Sequence, residues 1–178
     1  MRRTSRSAGA LARCALFTAL VALCSQLTLN LGPVPFSLSL LPVLLAGALL
    51  PPGEAALSLT AYLLLGAVGV PVFSGFGSGL GKLLGPTGGY LLGYLPASVL
   101  VSAGIRRWGA AWQVQAAAMA AGVLACYALG TVWFLISQQV SLSVCLRLCV
   151  WPFLPWDAVK IALAVLLSLR LRKALRLS

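Results

Sequence analysis

Apolar positions along this chain come in long blocks rather than in short alternations. Six runs stand out, at 10–29, 37–50, 55–70, 88–105, 112–136 and 155–169. Blocks of this kind predict helices that bury apolar surface on every side, and a membrane-spanning helix takes about 20 such residues. The first run is broken only by Arg13. It resembles the start of a signal peptide, but further apolar runs follow, so it is expected to be retained as a first helix. The second run is short for a span; it tilts little, is extended by its flanks, or is broken near Pro42.

The breaks are equally informative. Gly32, Pro33 and Pro35 make 30–35 a turn, and Pro51-Pro52-Gly53 a tight one. Between 71 and 89 lie seven glycines, two prolines and the single charge Lys82, a density at which no helix is expected. Irregular backbone at membrane depth survives only when buried in protein or lining a cavity, and long loops of this kind are usually functional. Residues 137–151 are less apolar, carry Arg147, and are expected to form a short interfacial helix.

Composition turns this pattern into a fold class. The 178 residues are 61% hydrophobic and 8% charged, where a soluble domain carries about 25% charge. The expectation is an all-α polytopic membrane protein, a single transmembrane domain over 1–178 with six transmembrane helices. The net charge of +11 does not mark a nucleic-acid surface, because the basic residues sit at segment ends. With both termini cytoplasmic, Arg2, Arg3, Arg6, Arg106, Arg107, Arg170, Arg172, Lys173 and Arg176 lie inside, and only Lys82 and Arg147 fall in outer loops. That orientation obeys the positive-inside rule. The expected location is a bacterial cytoplasmic membrane, among lipid.

Candidate chemistry is sparse. There is no histidine, the commonest general base and metal ligand. The five cysteines form no CxxC, so neither a metal site nor any other cofactor is expected. Gly81-Lys82 is followed by Leu83, and Phe76 stands where a P-loop needs glycine; no GxGxxG, GxSxG or HExxH occurs. No catalytic residue is expected, and the chain does not read as an enzyme. Of the two acidic residues, Glu54 sits where the third helix begins and suits the helix dipole. Asp157 opens the last apolar run, with Lys160 three residues on. Positions i and i+3 share a helix face. A charge at the centre of a membrane helix costs roughly 2.5–3.5 kcal/mol, so such a pair is a functional-site candidate. The alternative is an ion pair that helps helices pack. In the expected topology the 30–36 turn, the 71–89 loop and Asp157 with Lys160 all converge on the outer side, as a pocket does.

Three stretches together resemble one known family: Pro33-Val34-Pro35; Gly69-Val70-Pro71-Val72-Phe73 running through Gly79-Leu80-Gly81 to Leu84-Gly85-Pro86-Thr87-Gly88-Gly89-Tyr90; and Pro152-Phe153-Leu154-Pro155 with Asp157 and Lys160. They are similar to the BioY family, the biotin-specific substrate-binding subunits of energy-coupling-factor transporters. The resemblance covers nearly the whole chain, and the glycine loop is its most specific part. It implies a six-helix fold that holds biotin at the outer face, with a transmembrane coupling subunit and two cytoplasmic ATPase subunits as partners. Some members are thought to act without that module. The resemblance implicates Asp157 and Lys160 in biotin binding, and Ala15 and Ala19 as the small-residue face that docks on the coupling subunit. Where the family usually has Thr, then Gln two residues on, this chain has Ser37 and Ser39, and Trp156 replaces a frequent glycine.

A carboxylate accepts two parallel N–H bonds, as the ureido group of biotin offers. Asp157 is therefore expected to receive the ureido N–H groups. Lys160 either orients Asp157, donates to the ureido carbonyl, or pairs with the biotin carboxylate. Lys82 is the first candidate for that carboxylate, Tyr90 for the pocket wall, and Gly77 and Gly79 for the loop around it. The competing readings are an uptake subunit for another vitamin, and a membrane scaffold in which Asp157 and Lys160 simply pair.

Overall fold

The computed structural model describes residues 8–29 and 36–174. The 30–35 turn with Pro33-Val34-Pro35, and the terminal arginines Arg2, Arg3, Arg6 and Arg176, lie outside the described residues. Among the described residues the named elements are helices apart from one two-stranded antiparallel pair. The elements are α1 (Ala8–Gln26), β1 (Thr28–Leu29), β2 (Phe36–Ser37), α2 (Leu40–Leu49), α3 (Pro52–Ala67), α4 (Leu80–Leu84), α5 (Gly88–Trp108), α6 (Trp112–Gln138), α7 (Leu142–Cys149) and α8 (Leu154–Ala174).

By length and composition α1, α5 and α6 can each cross a membrane, and α7 with α8, bent by 50°, makes a fourth candidate among the described residues. The helix α2 has 10 residues and α3 has 16, both under the usual span length. Pro42 does not break α2; it sits in the first turn, where a missing N–H is harmless. Residues 37–39 are not part of that helix, because β2 pairs with β1 in the register Thr28↔Ser37 and Leu29↔Phe36. The glycine-rich stretch also departs from expectation. A single helical turn, α4, forms inside it, where Leu80, Lys82, Leu83 and Leu84 dilute the glycines.

Exposed tryptophans mark the two ends of the bundle. Trp108 and Trp112 flank the α5–α6 turn, while Trp151 and Trp156 flank the start of α8. The 27 residues of α6 separate the two pairs, a rise of about 40 Å. Tryptophan favours the membrane–water interface, so the two pairs set the depth of the protein.

Two cores share α2 and α5. One gathers Val43, Leu59, Tyr62, Phe73 and Ala97; the other gathers Leu44, Val101, Met119, Val123 and Ala164. Side-chain hydrogen bonds clasp the helices across these cores. Thr18 donates to the Ser58 carbonyl at 2.9 Å, Ser25 bonds Tyr62 at 2.9 Å, Ser102 donates to the Leu50 carbonyl at 2.6 Å, and Ser168 donates to Gln115. In lipid such bonds average about 0.6 kcal/mol each, enough to select a register. Glu54 does more than begin a helix: the Arg13 guanidinium donates to both its oxygens, at 2.9 and 2.8 Å, and forks α1 onto α3.

Candidate functional site

The start of α8 builds the site. Pro155 follows the first helical residue, where its fixed φ suits a helix start, and Asp157 lies in the first turn with its N–H donating to the Phe153 carbonyl at 2.8 Å. Asp157 and Lys160 are 4% and 5% exposed, so both charges are withdrawn from solvent. The Lys160 ammonium donates to Asp157 Oδ1 at 2.7 Å, and the Tyr127 hydroxyl, from the middle of α6, donates to Oδ2. The pair is thus a buried triad, with both carboxylate oxygens held.

The β1–β2 pair closes one side. It places the Phe36 ring 4.5 Å from the Lys160 ammonium, a cation–π contact. Phe36 in turn stacks on Phe153 at 5.6 Å and meets the edge of Trp156 at 5.6 Å. Trp156 therefore supports the ring that faces the lysine. Ser37 bonds Ser39 at 2.6 Å, and Ser39 bonds the Tyr94 hydroxyl at 2.5 Å. Only Ser37 of the two reaches the cavity; Ser39 holds it from behind.

These groups line an open cavity that takes in about 640 Å³ of space with its mouth included. Its walls are Ser37 and Leu40; Ser74, Lys82 and Thr87 from the glycine-rich stretch; Tyr90, Leu91 and Tyr94 of α5; Cys126 and Tyr127 of α6; Cys149 of α7; and Phe153, Asp157 and Lys160. Tyr90 packs on Gly130, where a Cβ would lie 2.2 Å from its ring. Among the described residues its buried hydroxyl has no hydrogen-bond partner, a costly state unless something else supplies one.

Lys82 reaches the cavity from α4. Both acidic side chains are engaged elsewhere, Glu54 by Arg13 and Asp157 by Lys160, so among the described residues Lys82 has no ion pair. Gly77 lies under its stem, since a Cβ there would sit 3.3 Å from Lys82 Cε. Gly79, at φ +81, turns the chain into α4, and its N–H donates to the Gly66 carbonyl at 2.7 Å. Neither glycine lines the cavity; both aim Lys82.

The stretch around α4 is stapled at both ends. Gln26, the last residue of α1, donates to the carbonyls of Pro71 and Phe73, each at 3.3 Å, and accepts from the Phe76 N–H at 2.9 Å. The Phe73 ring fills the notch left by Gly66, where a Cβ would lie 2.0 Å away. Trp133 of α6 donates to the Gly85 carbonyl at 2.9 Å.

Ala15 and Ala19 lie elsewhere. Both are exposed and line an open apolar groove between α1 and α3, together with Leu11, Thr18, Ala22, Leu57, Ala61, Leu65 and Val72. The groove and the cavity share no residue.

Tyr127, Tyr94 and Phe36 were not legible as site residues. Tyr127 is 30 positions from Asp157, and its only signal is a hydroxyl in the middle of an apolar helix. Among the described residues, no three His, Cys, Asp or Glu side chains group as metal ligands.

Comparison with known proteins agrees with the fold. The BioY family model matches residues 1–177. A probable biotin transporter BioY of Pyrococcus horikoshii is 38% identical over 158 residues, covering 89% of this chain and 93% of its own. The biotin transporter BioY of Thermotoga maritima is 35% identical over 165 residues, covering 92% and 95%. A crystal structure of the S-component for biotin from an ECF-type ABC transporter superposes with a TM-score of 0.87 at 26% identity, over 97% of this chain and 95% of the other. With a family model that runs along nearly its whole length, and relatives matched over most of theirs, this chain belongs to the BioY family.

Proposed function

We infer that this protein captures biotin at the outer face of the cytoplasmic membrane, as the substrate-binding subunit of an energy-coupling-factor transporter. The observation that carries the reading is the Tyr127–Asp157–Lys160 triad, a buried and fully bonded charge cluster facing a largely apolar cavity. A carboxylate has about four acceptor directions. Tyr127 and Lys160 occupy one on each oxygen, which leaves one on each for the two ureido N–H groups of biotin. Lys160 orients Asp157 and is itself fixed by the Phe36 ring. The apolar bicycle lies against Leu40, Leu91 and Phe153, and Lys82 meets the carboxylate at the end of the tail. The orphaned Tyr90 hydroxyl faces the same space and supplies a further donor.

The finer topology belongs to the same reading. One transmembrane domain of six spans puts both termini and Arg106-Arg107 in the cytoplasm, with α2 and α3 as the two short spans. Energy enters through partners, because the sequence carries no P-loop to hold a nucleotide. The α1–α3 groove, with Ala15 and Ala19 on its rim, seats the transmembrane coupling subunit, which two cytoplasmic ATPase subunits drive.

Binding of labelled biotin to the purified protein tests the reading. Asp157→Asn puts an amide donor where two acceptors are needed and is expected to weaken binding by about 2–3 kcal/mol. Wild-type affinity in that variant removes the assignment.

A further inference from the structure

The hydroxyls of Ser37, Ser39 and Tyr94 form one chain, with 2.6 Å between the first two and 2.5 Å between the last two. The chain joins β2 to α5 across the start of α2. Its two ends, Ser37 and Tyr94, line the biotin cavity, and its middle member does not. Ser39 is 1% exposed. It stands at the N-cap of α2, where a serine side chain usually accepts from the helix backbone, yet it makes no cap bond. Its hydroxyl goes to the chain instead. We propose that Tyr94 and Ser39 are positioning residues, which direct the Ser37 hydroxyl to donate to the ureido carbonyl of biotin. This rests on the reading of the cavity as a biotin site.

Proton counting gives the chain a direction. Three hydroxyls carry three protons, and the two bonds use two of them. One proton is left over at one end. The phenol is the most acidic of the three and so the best donor. The chain therefore runs from Tyr94 through Ser39 to Ser37, and the spare proton sits on Ser37. Among the described residues, the Ser37 hydroxyl bonds no group but Ser39. Successive bonds polarise one another, which strengthens the last donor.

The place of that donor selects its acceptor. Ser37 pairs with Thr28 in the β1–β2 register, and the ring of its neighbour Phe36 lies 4.5 Å from the Lys160 ammonium. Ser37 thus stands at the end of the cavity that holds Asp157. The Lys160 ammonium is committed there to Asp157 and the Phe36 ring. The ureido carbonyl is the acceptor oxygen that biotin brings to that end, since its carboxylate lies at the far end of the tail.

The chain has a plainer use, to tie β2 to α5. That use needs the two bonds but not their direction, and it leaves the carbonyl of a bound ligand unaffected.

Isotope-edited infrared spectroscopy tests the proposal, with the full chain purified in detergent and saturated with biotin carrying a ¹³C label at the ureido carbonyl. Affinities are measured alongside. Ser37→Ala should raise the carbonyl stretch, because a donor is lost, and weaken biotin binding about fivefold, as for one neutral hydrogen bond. Ser39→Ala frees the Ser37 hydroxyl among its staggered rotamers. It should raise the stretch by a smaller step and weaken binding by up to about threefold. Tyr94→Phe, which keeps the ring, should shift the stretch the same way and decides the matter if Ser39→Ala fails to fold. An unchanged stretch in Ser37→Ala places the donor elsewhere and overturns the proposal. A shift in Ser37→Ala but in neither Ser39→Ala nor Tyr94→Phe removes the positioning role. Weaker binding with an unmoved stretch reduces the chain to a tie between elements. A wild-type protein that binds no biotin fails earlier, at the function itself.

Discussion

Removing the buried charges one at a time, and then together, separates a pair kept for packing from a pair kept for a ligand. Lys160→Met leaves Asp157 buried with only the Tyr127 hydroxyl for company. Breaking one side of a buried ion pair costs about 3–5 kcal/mol. The triple variant Tyr127→Phe/Asp157→Leu/Lys160→Met removes every member of the network with little change of volume, so no orphan remains. Its stability should return to within about 1–2 kcal/mol of wild type, as apolar replacements of buried pairs generally do. Biotin affinity should move the other way. The triple variant lacks both acceptors for the ureido group, and hydrogen bonds to a charged group contribute about 1.5–3 kcal/mol each. Two of them amount to a loss of roughly 10²–10⁴-fold. The assay is denaturant unfolding followed by the five tryptophans, alongside equilibrium binding of labelled biotin. A triple variant that is stable and still binds biotin like wild type refutes the reasoning outright. A Lys160→Met protein as stable as wild type refutes the energetics of the pair.

Three further outcomes are expected. Lys82→Met should weaken biotin binding by about tenfold but leave the affinity for biotin methyl ester unchanged, because only the free carboxylate meets the ammonium; an equal loss for both ligands would place Lys82 elsewhere. Gln26→Leu removes three hydrogen bonds to the 71–76 backbone, so amide exchange there should rise by at least about tenfold and biotin should dissociate faster; unchanged exchange would mean that Phe73 in its notch suffices. Ala15→Trp/Ala19→Trp should block the α1–α3 groove and abolish co-purification with a coupling subunit at unaltered biotin affinity, whereas loss of both would assign these residues to folding.

How much of this was legible in the residues depends on the range of each interaction. The adjacency of Asp157 and Lys160 follows from helical spacing, and the two sit 2.7 Å apart. The end of α5 near Arg106-Arg107 and the start of α3 after Pro51 follow from local charge and proline. The third member of the triad did not follow, because Tyr127 meets Asp157 only through the packing of α6 against α8. Arg13 and Glu54 were each visible, but their fork depends on α1 lying against α3. Two short features escaped for a different reason. A two-residue strand and a five-residue helix carry too few positions for any periodic signal. Glycine density suggested a stretch without helix between 71 and 89, yet the run Leu80–Leu84 holds one glycine among five residues, and one turn needs no more.

Val72 connects parts that the sequence keeps separate. It lines the α1–α3 groove, and it stands between Pro71 and Phe73, whose carbonyls Gln26 holds. Phe73 carries this contact inward to Gly66 and to the edge of Tyr62, 5.5 Å away, and Tyr62 bonds Ser25 on α1. Beyond Phe73 the chain pairs with Gly77, which lies under the Lys82 stem. A helix seated in the groove would therefore touch the base of the segment that carries Lys82 to the cavity. Among the described residues, the groove and the cavity that holds the Asp157 triad share no lining residue. If the groove seats the coupling subunit and Lys82 meets the ligand's tail, as proposed, docking has a short mechanical route to that tail. A partner that shifts Val72 by even part of an ångström acts on a close-packed contact with little room to absorb it. On the proposed assignment, Lys82 as the tail anchor is the element it moves first, before the Asp157 clasp on α8.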